Sequence, residues 1–85
     1  MVTRMKILII EDDLEAAAYL AKAFREAGIV SDHASDGESG LFMGSENAYD
    51  VMIIDRMLPR RDGLSVISEL RRKGIHTPVL ILSAL

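Results

Sequence analysis

Two short and almost continuous apolar runs constrain the fold of this chain more than any other feature. Residues 5–10 and 51–54 are apolar apart from Lys6, and each run leads directly into carboxylates. Apolar side chains at successive positions, instead of alternate ones, are typical of a strand that is covered on both faces of its sheet. The runs therefore predict two central strands of an α/β sheet.

Helices are predicted after the strands. Beyond the first run, Asp13 stands where an N-cap belongs, and Gly28 stands where a left-handed residue would end a helix. The apolar residues between them recur at helical spacing: Leu14, Ala17, Leu20, Ala21 and Phe24. A second helix over 38–45 is predicted to be weak, because Gly40 and Gly44 lie inside it.

A third helix and two more strands complete the pattern. Apolar spacing over 64–70 predicts the helix, which Gly74 ends. Residues 29–34 are only partly apolar and suit an edge strand, whereas 78–83 form a last apolar strand that begins with Pro78, where a missing amide is tolerated. Because strands and helices alternate, each strand pair needs a crossover, which predicts a parallel, doubly wound α/β sheet.

Length and composition limit the class of protein. With 85 residues, a net charge of −3, 49% hydrophobic and 27% charged residues, the chain is typical of one globular domain. It has no cysteine, which excludes disulfides and thiolate metal sites. It shows no signal peptide or membrane span, so a cytoplasmic location is expected. Mild acidity without a basic stripe argues against nucleic-acid binding by this chain itself.

The carboxylates at the strand ends are the candidate site. Glu11, Asp12 and Asp13 follow the first strand, and Asp55 follows the third. Open α/β sheets place ligands at the carboxyl ends of their strands, and crowded carboxylates favour a proton or a hard cation such as Mg²⁺. The alternative is that Asp12 and Asp13 only cap the helix and that Asp55 begins a solvated loop. Capping is favoured for Asp13, and a functional role is favoured for Asp55.

These motifs resemble the receiver domain of two-component response regulators. The likeness is carried by residues 7–13, 49–59, 62–63 and 77–84. It implies the flavodoxin-like strand order 2-1-3-4-5. Residues 1–85 would supply the portion β1-α1-β2-α2-β3-α3-β4 in the order 2-1-3-4, truncated before the fourth helix, the fifth strand and the fifth helix.

The resemblance also implies roles for individual residues. Asp55 would be the phosphoacceptor, and Ser83 the hydroxyl that senses the phosphoryl group. Asp12 would bind Mg²⁺ directly, with Glu11 as the second acid and the main-chain carbonyl of Met57 as a further ligand. The partner would be a sensor histidine kinase. The domain would not be an enzyme beyond catalysing its own phosphorylation and dephosphorylation.

Two further features concern the signalling output that the resemblance implies. The segments 57–59 and 62–63 resemble those of regulators that carry a winged-helix DNA-binding domain, which implies transcription regulation. The family's phosphate-binding lysine follows the fifth strand, and Lys6, Lys22 and Lys73 do not match it. An impaired output is therefore expected.

Other functions remain open. A receiver-like module could associate without being phosphorylated, and the exposed last strand is predicted to pair two copies of the chain as a dimer. A haloacid-dehalogenase-type phosphatase is strongly disfavoured, because it needs an aspartate two residues after the nucleophile, where this chain has Met57. His33 and His76 are predicted to be solvated.

Overall fold

A computed structural model describes residues 4–82 of the chain. Its elements alternate along the chain: β1 (Lys6–Ile10), α1 (Leu14–Glu26), β2 (Val30–Ala34), α2 (Gly37–Glu46), β3 (Val51–Asp55), α3 (Gly63–Arg72) and β4 (Val79–Leu82). All strand pairs are parallel, and the order across the sheet is β2-β1-β3-β4. The predicted flavodoxin-like α/β class and the order 2-1-3-4 are confirmed. No helix in the described part of the chain has the length and hydropathy that a membrane span requires.

Aspartates begin all three helices. The side chain of Asp13 accepts hydrogen bonds from the main-chain N–H groups of the first turn of α1, as predicted, and Asp36 and Asp62 do the same for α2 and α3. These bonds satisfy donors that have no partner within the helix. Gly28 follows the end of α1 with a φ of 78°, and Gly74 follows α3 with a φ of 81°, which confirms both predicted stops.

Each face of the sheet has its own hydrophobic core. Because side chains alternate along a strand, Ile7 and Ile9 face α1, whereas Leu8 and Ile10 face α2 and α3. The buried residues of the α1 side are Ile7, Ile9, Ala17 and Ile53. Those of the opposite side are Leu8, Ile10, Ala34, Tyr49, Met52, Ile54, Val66 and Leu70. The central strands β1 and β3 are thus covered on both faces, as their continuous apolar runs predict.

Glycines bring α2 close to the sheet. A methyl group at Gly40 would lie 2.6 Å from Cδ1 of Ile10, and one at Gly44 would lie 2.9 Å from Cε of Met52. Both distances are too short for carbon atoms in contact. At Gly40 three atoms of Ile10 lie within 3.0 Å, so the helix can approach β1 only without a side chain there, whereas at Gly44 only the flexible end of Met52 is this close. The glycines that lower the intrinsic stability of α2 are therefore those that let it pack.

A polar network ties the start of β1 to β2 and to the turn before β3. The buried Tyr49 donates a hydrogen bond of 2.7 Å from its hydroxyl to Oδ2 of Asp32. Nζ of Lys6 lies 3.6 Å from the same oxygen and 5.2 Å from the centroid of the Tyr49 ring. Burial, and then the neighbouring Asp32 carboxylate, raise the pKa of Tyr49 to about 12. The neutral phenol is therefore part of the folded structure.

Strand β4 forms one edge of the described sheet. It pairs with β3 alone, and its outer main-chain groups face away from the sheet. Leu80, Ile81 and Leu82 are 61%, 46% and 39% exposed. An apolar strand at a sheet edge is a template for pairing with another strand.

Candidate functional site

Three carboxylates converge at the carboxyl ends of β1 and β3. In the parallel register Ile10 lies opposite Ile54, so the residues that follow them, Glu11 and Asp55, are neighbours across the two strands. One carboxylate oxygen from each of Glu11, Asp12 and Asp55 lies within 4.8 Å of the other two. Glu11 is buried, Asp55 is half-buried and Asp12 is exposed. The structure thus brings together the three acids that the sequence singles out.

Main-chain groups hold Glu11 in place. Its N–H donates to the carbonyl of Ala34 at 3.0 Å, which extends the β1–β2 ladder by one bond. Its Oε2 accepts a hydrogen bond of 3.1 Å from the N–H of Asp13. Because Asp13 also caps α1, the first turn of the helix and the buried carboxylate share one short segment. The capping role and the acid cluster are therefore parts of the same structure rather than alternatives.

His33 is exposed to solvent, as predicted, and it also contacts this site. Its Nε2 lies 2.7 Å from the main-chain oxygen of Glu11. The parallel register places His33 opposite Ile9, two positions before Glu11. This contact depends on how β2 is aligned with β1, and no local pattern around His33 reveals that alignment.

The electrostatics of the cluster favour a positive charge. Burial raises the pKa of Glu11 above its usual value, and the nearby carboxylates of Asp55 and Asp12 raise it further. The hydrogen bond from the N–H of Asp13 opposes this shift. A carboxyl group with a raised pKa binds a proton more readily, and a divalent cation would relieve the same repulsion.

The loop after β3 orients Asp55. Its Oδ1 accepts a hydrogen bond of 3.1 Å from the N–H of Met57, and the Met57 side chain is 74% exposed. Gly63 packs directly behind this segment, since a methyl group there would lie 2.5 Å from the main-chain oxygen of Asp55. The use of the Met57 carbonyl as a ligand stays a prediction. Ser83 lies outside the described residues.

The lysines lie away from the acids, as the sequence analysis expects. Lys6 is the first residue of β1, at the opposite end of that strand from Glu11, and Lys73 is the C-cap of α3. Lys22 lies in the third turn of α1. Arg56 follows Asp55 directly in the chain and is exposed.

The donor set fits magnesium. Mg²⁺ prefers oxygen ligands in octahedral geometry, keeps several waters, and is usually bound by one or two carboxylates and a phosphate. Glu11, Asp12 and Asp55 offer such oxygens on two adjacent strands, with two of the three carboxylates open to solvent. The exposed carboxylate of Asp12 and the half-buried one of Asp55, beside the buried Glu11, leave room for waters or a phosphoryl group.

Comparison with known proteins gives the family. Residues 7–85 match the family model described as the response regulator receiver domain. The chain is 47% identical over 81 residues to the probable transcriptional regulatory protein SilR of Salmonella typhimurium, which covers 95% of this chain and 36% of SilR. It is 45% identical over 80 residues to the transcriptional activator protein IrlR of Burkholderia pseudomallei, covering 94% of this chain and 34% of IrlR. The chain thus spans about a third of the length of these curated relatives.

Solved structures agree with the fold. The receiver domain of the Francisella response regulator 1452 matches with a TM-score of 0.93 and 44% identity, over 96% of this chain and 68% of that one. The response regulator TrrA of Thermotoga maritima, solved in complex with Mg²⁺ and BeF, matches with a TM-score of 0.88 and 30% identity, over 95% of this chain and 70% of that one. With the acids at the strand ends, these matches establish that the chain belongs to the response regulator receiver domain family.

Proposed function

We propose that residues 1–85 are the four-strand portion of a receiver domain in a transcriptional regulator, and that Asp55 accepts a phosphoryl group from a sensor histidine kinase. The observation that carries this proposal is the convergence of Glu11, Asp12 and Asp55 within 4.8 Å at the ends of two adjacent strands. The curated relatives are named as transcriptional regulators, and the chain matches them across their receiver portion.

The Asp55 carboxylate is suited to act as the nucleophile. Its Oδ1 is held by the N–H of Met57, which turns the carboxylate and leaves Oδ2 for the incoming phosphorus atom. In the transfer, an Asp55 oxygen forms the new P–O bond while the P–N bond of the kinase phosphohistidine breaks. The imidazole nitrogen leaves and takes a proton from solvent. Catalysis of this kind consists mainly of positioning and charge stabilisation.

Glu11, Asp12, Asp55 and the Met57 carbonyl would hold Mg²⁺. The ion would supply positive charge for the phosphoryl oxygens. The chain's own contribution is to hold Glu11 buried beside the other acids, with its carboxylate fixed by the N–H of Asp13. The role of Ser83 as the hydroxyl that contacts the phosphoryl group is part of the same proposal.

Intact-mass spectrometry tests the proposal. The chain is incubated with acetyl phosphate, with and without Mg²⁺, beside Asp55→Asn and the matched control Asp50→Asn, which changes an exposed aspartate at the other end of β3. Gain of one phosphoryl group by the parent and by Asp50→Asn, and only with Mg²⁺, is the expected result. No gain by a parent that is shown to be folded contradicts the proposal, as does a gain by Asp55→Asn.

A second candidate function is a receiver-like interaction module that associates without phosphorylation. The observation in its favour is the exposed apolar strand β4 at the edge of the described sheet. The occupant we propose is a second copy of the chain, with β4 paired against β4. Pairing would give the outer main-chain groups of β4 partners and would bury Leu80, which is 61% exposed.

Sedimentation over a range of concentrations distinguishes this candidate. The parent should form a dimer, and Leu80→Lys should be monomeric because a lysine at a sheet edge opposes strand pairing. Phe42→Lys is the matched control, since Phe42 is 67% exposed on α2 and away from β4. Asp55→Asn should associate like the parent. A strictly monomeric, folded parent rules out the module.

A further inference from the structure

We infer that His33 is a positioning residue of the carboxylate cluster, because its ring donates an Nε2–H hydrogen bond that fixes the peptide between Glu11 and Asp12. The inference rests on the proposed function for the role of the cluster, although the hydrogen bond itself does not depend on it. The distance from Nε2 to the main-chain oxygen of Glu11 is 2.7 Å. In the described structure, no other hydrogen bond links β2 to the Glu11 carbonyl or to the residues that follow it.

The contact supplies a partner that the main chain does not. Glu11 follows the last residue of β1, and its N–H completes the ladder by donating to Ala34 at 3.0 Å. Strand β2 ends at Ala34, and no main-chain N–H among residues 4–82 donates to the Glu11 carbonyl. Glu11 is only 7% exposed, so an unpaired carbonyl there would be unfavourable. The side chain of His33 takes the place of the missing main-chain donor.

The chemistry of the acceptor fixes the state of the ring. A carbonyl oxygen only accepts hydrogen bonds, so a bond at this distance requires a hydrogen on Nε2 of His33. A neutral ring must therefore be the Nε2–H form, with Nδ1 as the bare nitrogen. This prediction concerns one proton on one atom, and it can be measured without a metal.

A fixed carbonyl also fixes the direction of the next residue. The peptide unit from Cα of Glu11 to Cα of Asp12 is planar, so holding its oxygen holds the plane from which Asp12 departs. On the other side, the N–H of Asp13 is bonded to Oε2 of Glu11 at 3.1 Å. The main chain of Asp12, whose carboxylate is exposed, is therefore fixed on both sides: by the bond to the Glu11 carbonyl and by the bond from the Asp13 N–H. Rigid placement of ligands lowers the cost of ordering them when a cation binds.

The first experiment measures the tautomer in the metal-free chain. Long-range ¹H–¹⁵N correlation spectra in alkaline solution assign the bare and protonated nitrogens of His33, with the exposed His76 as the internal comparison. We expect the Nε2–H form, and we expect its hydrogen to exchange with water more slowly than that of His76. A neutral His33 in the Nδ1–H form overturns the inference, whatever the chain does with Mg²⁺.

The second experiment asks whether the bond matters for the site. His33→Gln keeps an N–H at nearly the position of Nε2, whereas His33→Leu removes the donor and keeps a side chain of similar size. We expect the leucine variant to bind Mg²⁺ roughly threefold to tenfold more weakly, below the effect typical of groups bonded directly to a ligand side chain. The glutamine variant should stay within about twofold of the parent, and urea unfolding should show both variants folded.

The outcomes separate the inference from the proposed function. Equal Mg²⁺ affinity in the parent and the leucine variant overturns the positioning role. A parent that binds no Mg²⁺ contradicts the metal site, and the amide resonances of Asp12 and Asp13 in the metal-free variants then decide the matter. Movement of these resonances in His33→Leu but not in His33→Gln supports the positioning role. Identical resonances in the two variants overturn it.

Discussion

Tyr49→Phe should destabilise the fold by removing one hydroxyl from a partly buried network. The substitution keeps the aromatic ring, so packing in the core that contains Leu8 and Met52 is retained. It deletes the 2.7 Å hydrogen bond to Asp32 and leaves that carboxylate with Lys6 at 3.6 Å. The network joins β1, β2 and the turn before β3, so its loss weakens the connection between these three parts.

The structure gives one magnitude for neutral pH, from the hydrogen bond, and one for alkaline pH, from the shifted pKa. A hydrogen bond to a charged group contributes about 1.5–3 kcal/mol to stability. The pKa of Tyr49 is raised from 10.0 to about 12, which is two units. At about 1.4 kcal/mol per unit, ionising this phenol in the folded chain costs about 3 kcal/mol more than in the unfolded chain. Near neutral pH only the hydrogen bond counts, so Tyr49→Phe should be destabilising there by about 1.5–3 kcal/mol. The pKa shift is caused first by burial, which penalises the phenolate and therefore matters only in alkaline solution.

The direction of the pKa shift determines how the free energy of unfolding changes in alkaline solution. Because the folded pKa lies above the unfolded value, the folded chain holds the phenolic proton more tightly. The stabilisation from Tyr49 is fully present below a pH of about 10 and is lost as the pH rises through about 12. The difference in unfolding free energy between parent and Tyr49→Phe should therefore be constant near neutral pH and shrink over that interval.

Two assays check this reasoning. Urea unfolding followed by circular dichroism gives the free energy of unfolding for both proteins at each pH. The phenolate absorbance of the parent minus that of Tyr49→Phe isolates the titration of Tyr49, because the chain has only one other tyrosine. A loss of less than about 0.5 kcal/mol on substitution would refute the argument. So would a Tyr49 titration centred near the ordinary tyrosine value.

Three more predictions concern the packing of α2 and the acid cluster. Gly40→Ala should lose about 1 kcal/mol in urea unfolding, since overpacking exceeds the gain in helix propensity. Adding Ile10→Val removes the methyl 2.6 Å away but keeps Cγ2 and Cγ1 at 2.8 and 2.9 Å, so it should recover only part of the loss. Asp13→Ala should lose about 1 kcal/mol by the same assay, and Asp13→Asn much less, because asparagine still caps α1. Glu11→Gln should stabilise the metal-free chain near neutral pH. The gain should vanish on acidification. Because the pKa of Glu11 is higher in the folded than in the unfolded chain, the parent loses stability as the pH rises between these two values. A gain that persists in acid contradicts this prediction.

Local signals account for the parts of the fold that were predicted correctly. The continuous apolar runs of β1 and β3 reflect burial on both faces, and the sequence of each strand is enough to show it. Asp13 and Gly28 act on their own helix through bonds to the nearest main-chain groups. The strand order 2-1-3-4 came from the family resemblance, since alternation of strands and helices gives parallel pairing but not order.

Features that depend on residues far apart in the sequence are harder to predict. Gly40 and Gly44 predict a weak helix when their neighbours along the chain are considered, yet they are the positions where α2 meets Ile10 and Met52. His33 is exposed, as predicted, but its bond to Glu11 could not be predicted because it exists only in the folded register.

The crowding of Glu11, Asp12 and Asp55 affects the lifetime of the protein. Acids that repel one another lower the stability of the cation-free fold, and any cation that relieves the repulsion is also a folding ligand. Each tenfold excess of such a cation over its dissociation constant adds about 1.4 kcal/mol to the free energy of unfolding. Under the proposed function, resistance to proteolysis should rise with free Mg²⁺ before any phosphoryl group arrives, so that ion supply and protein lifetime become linked.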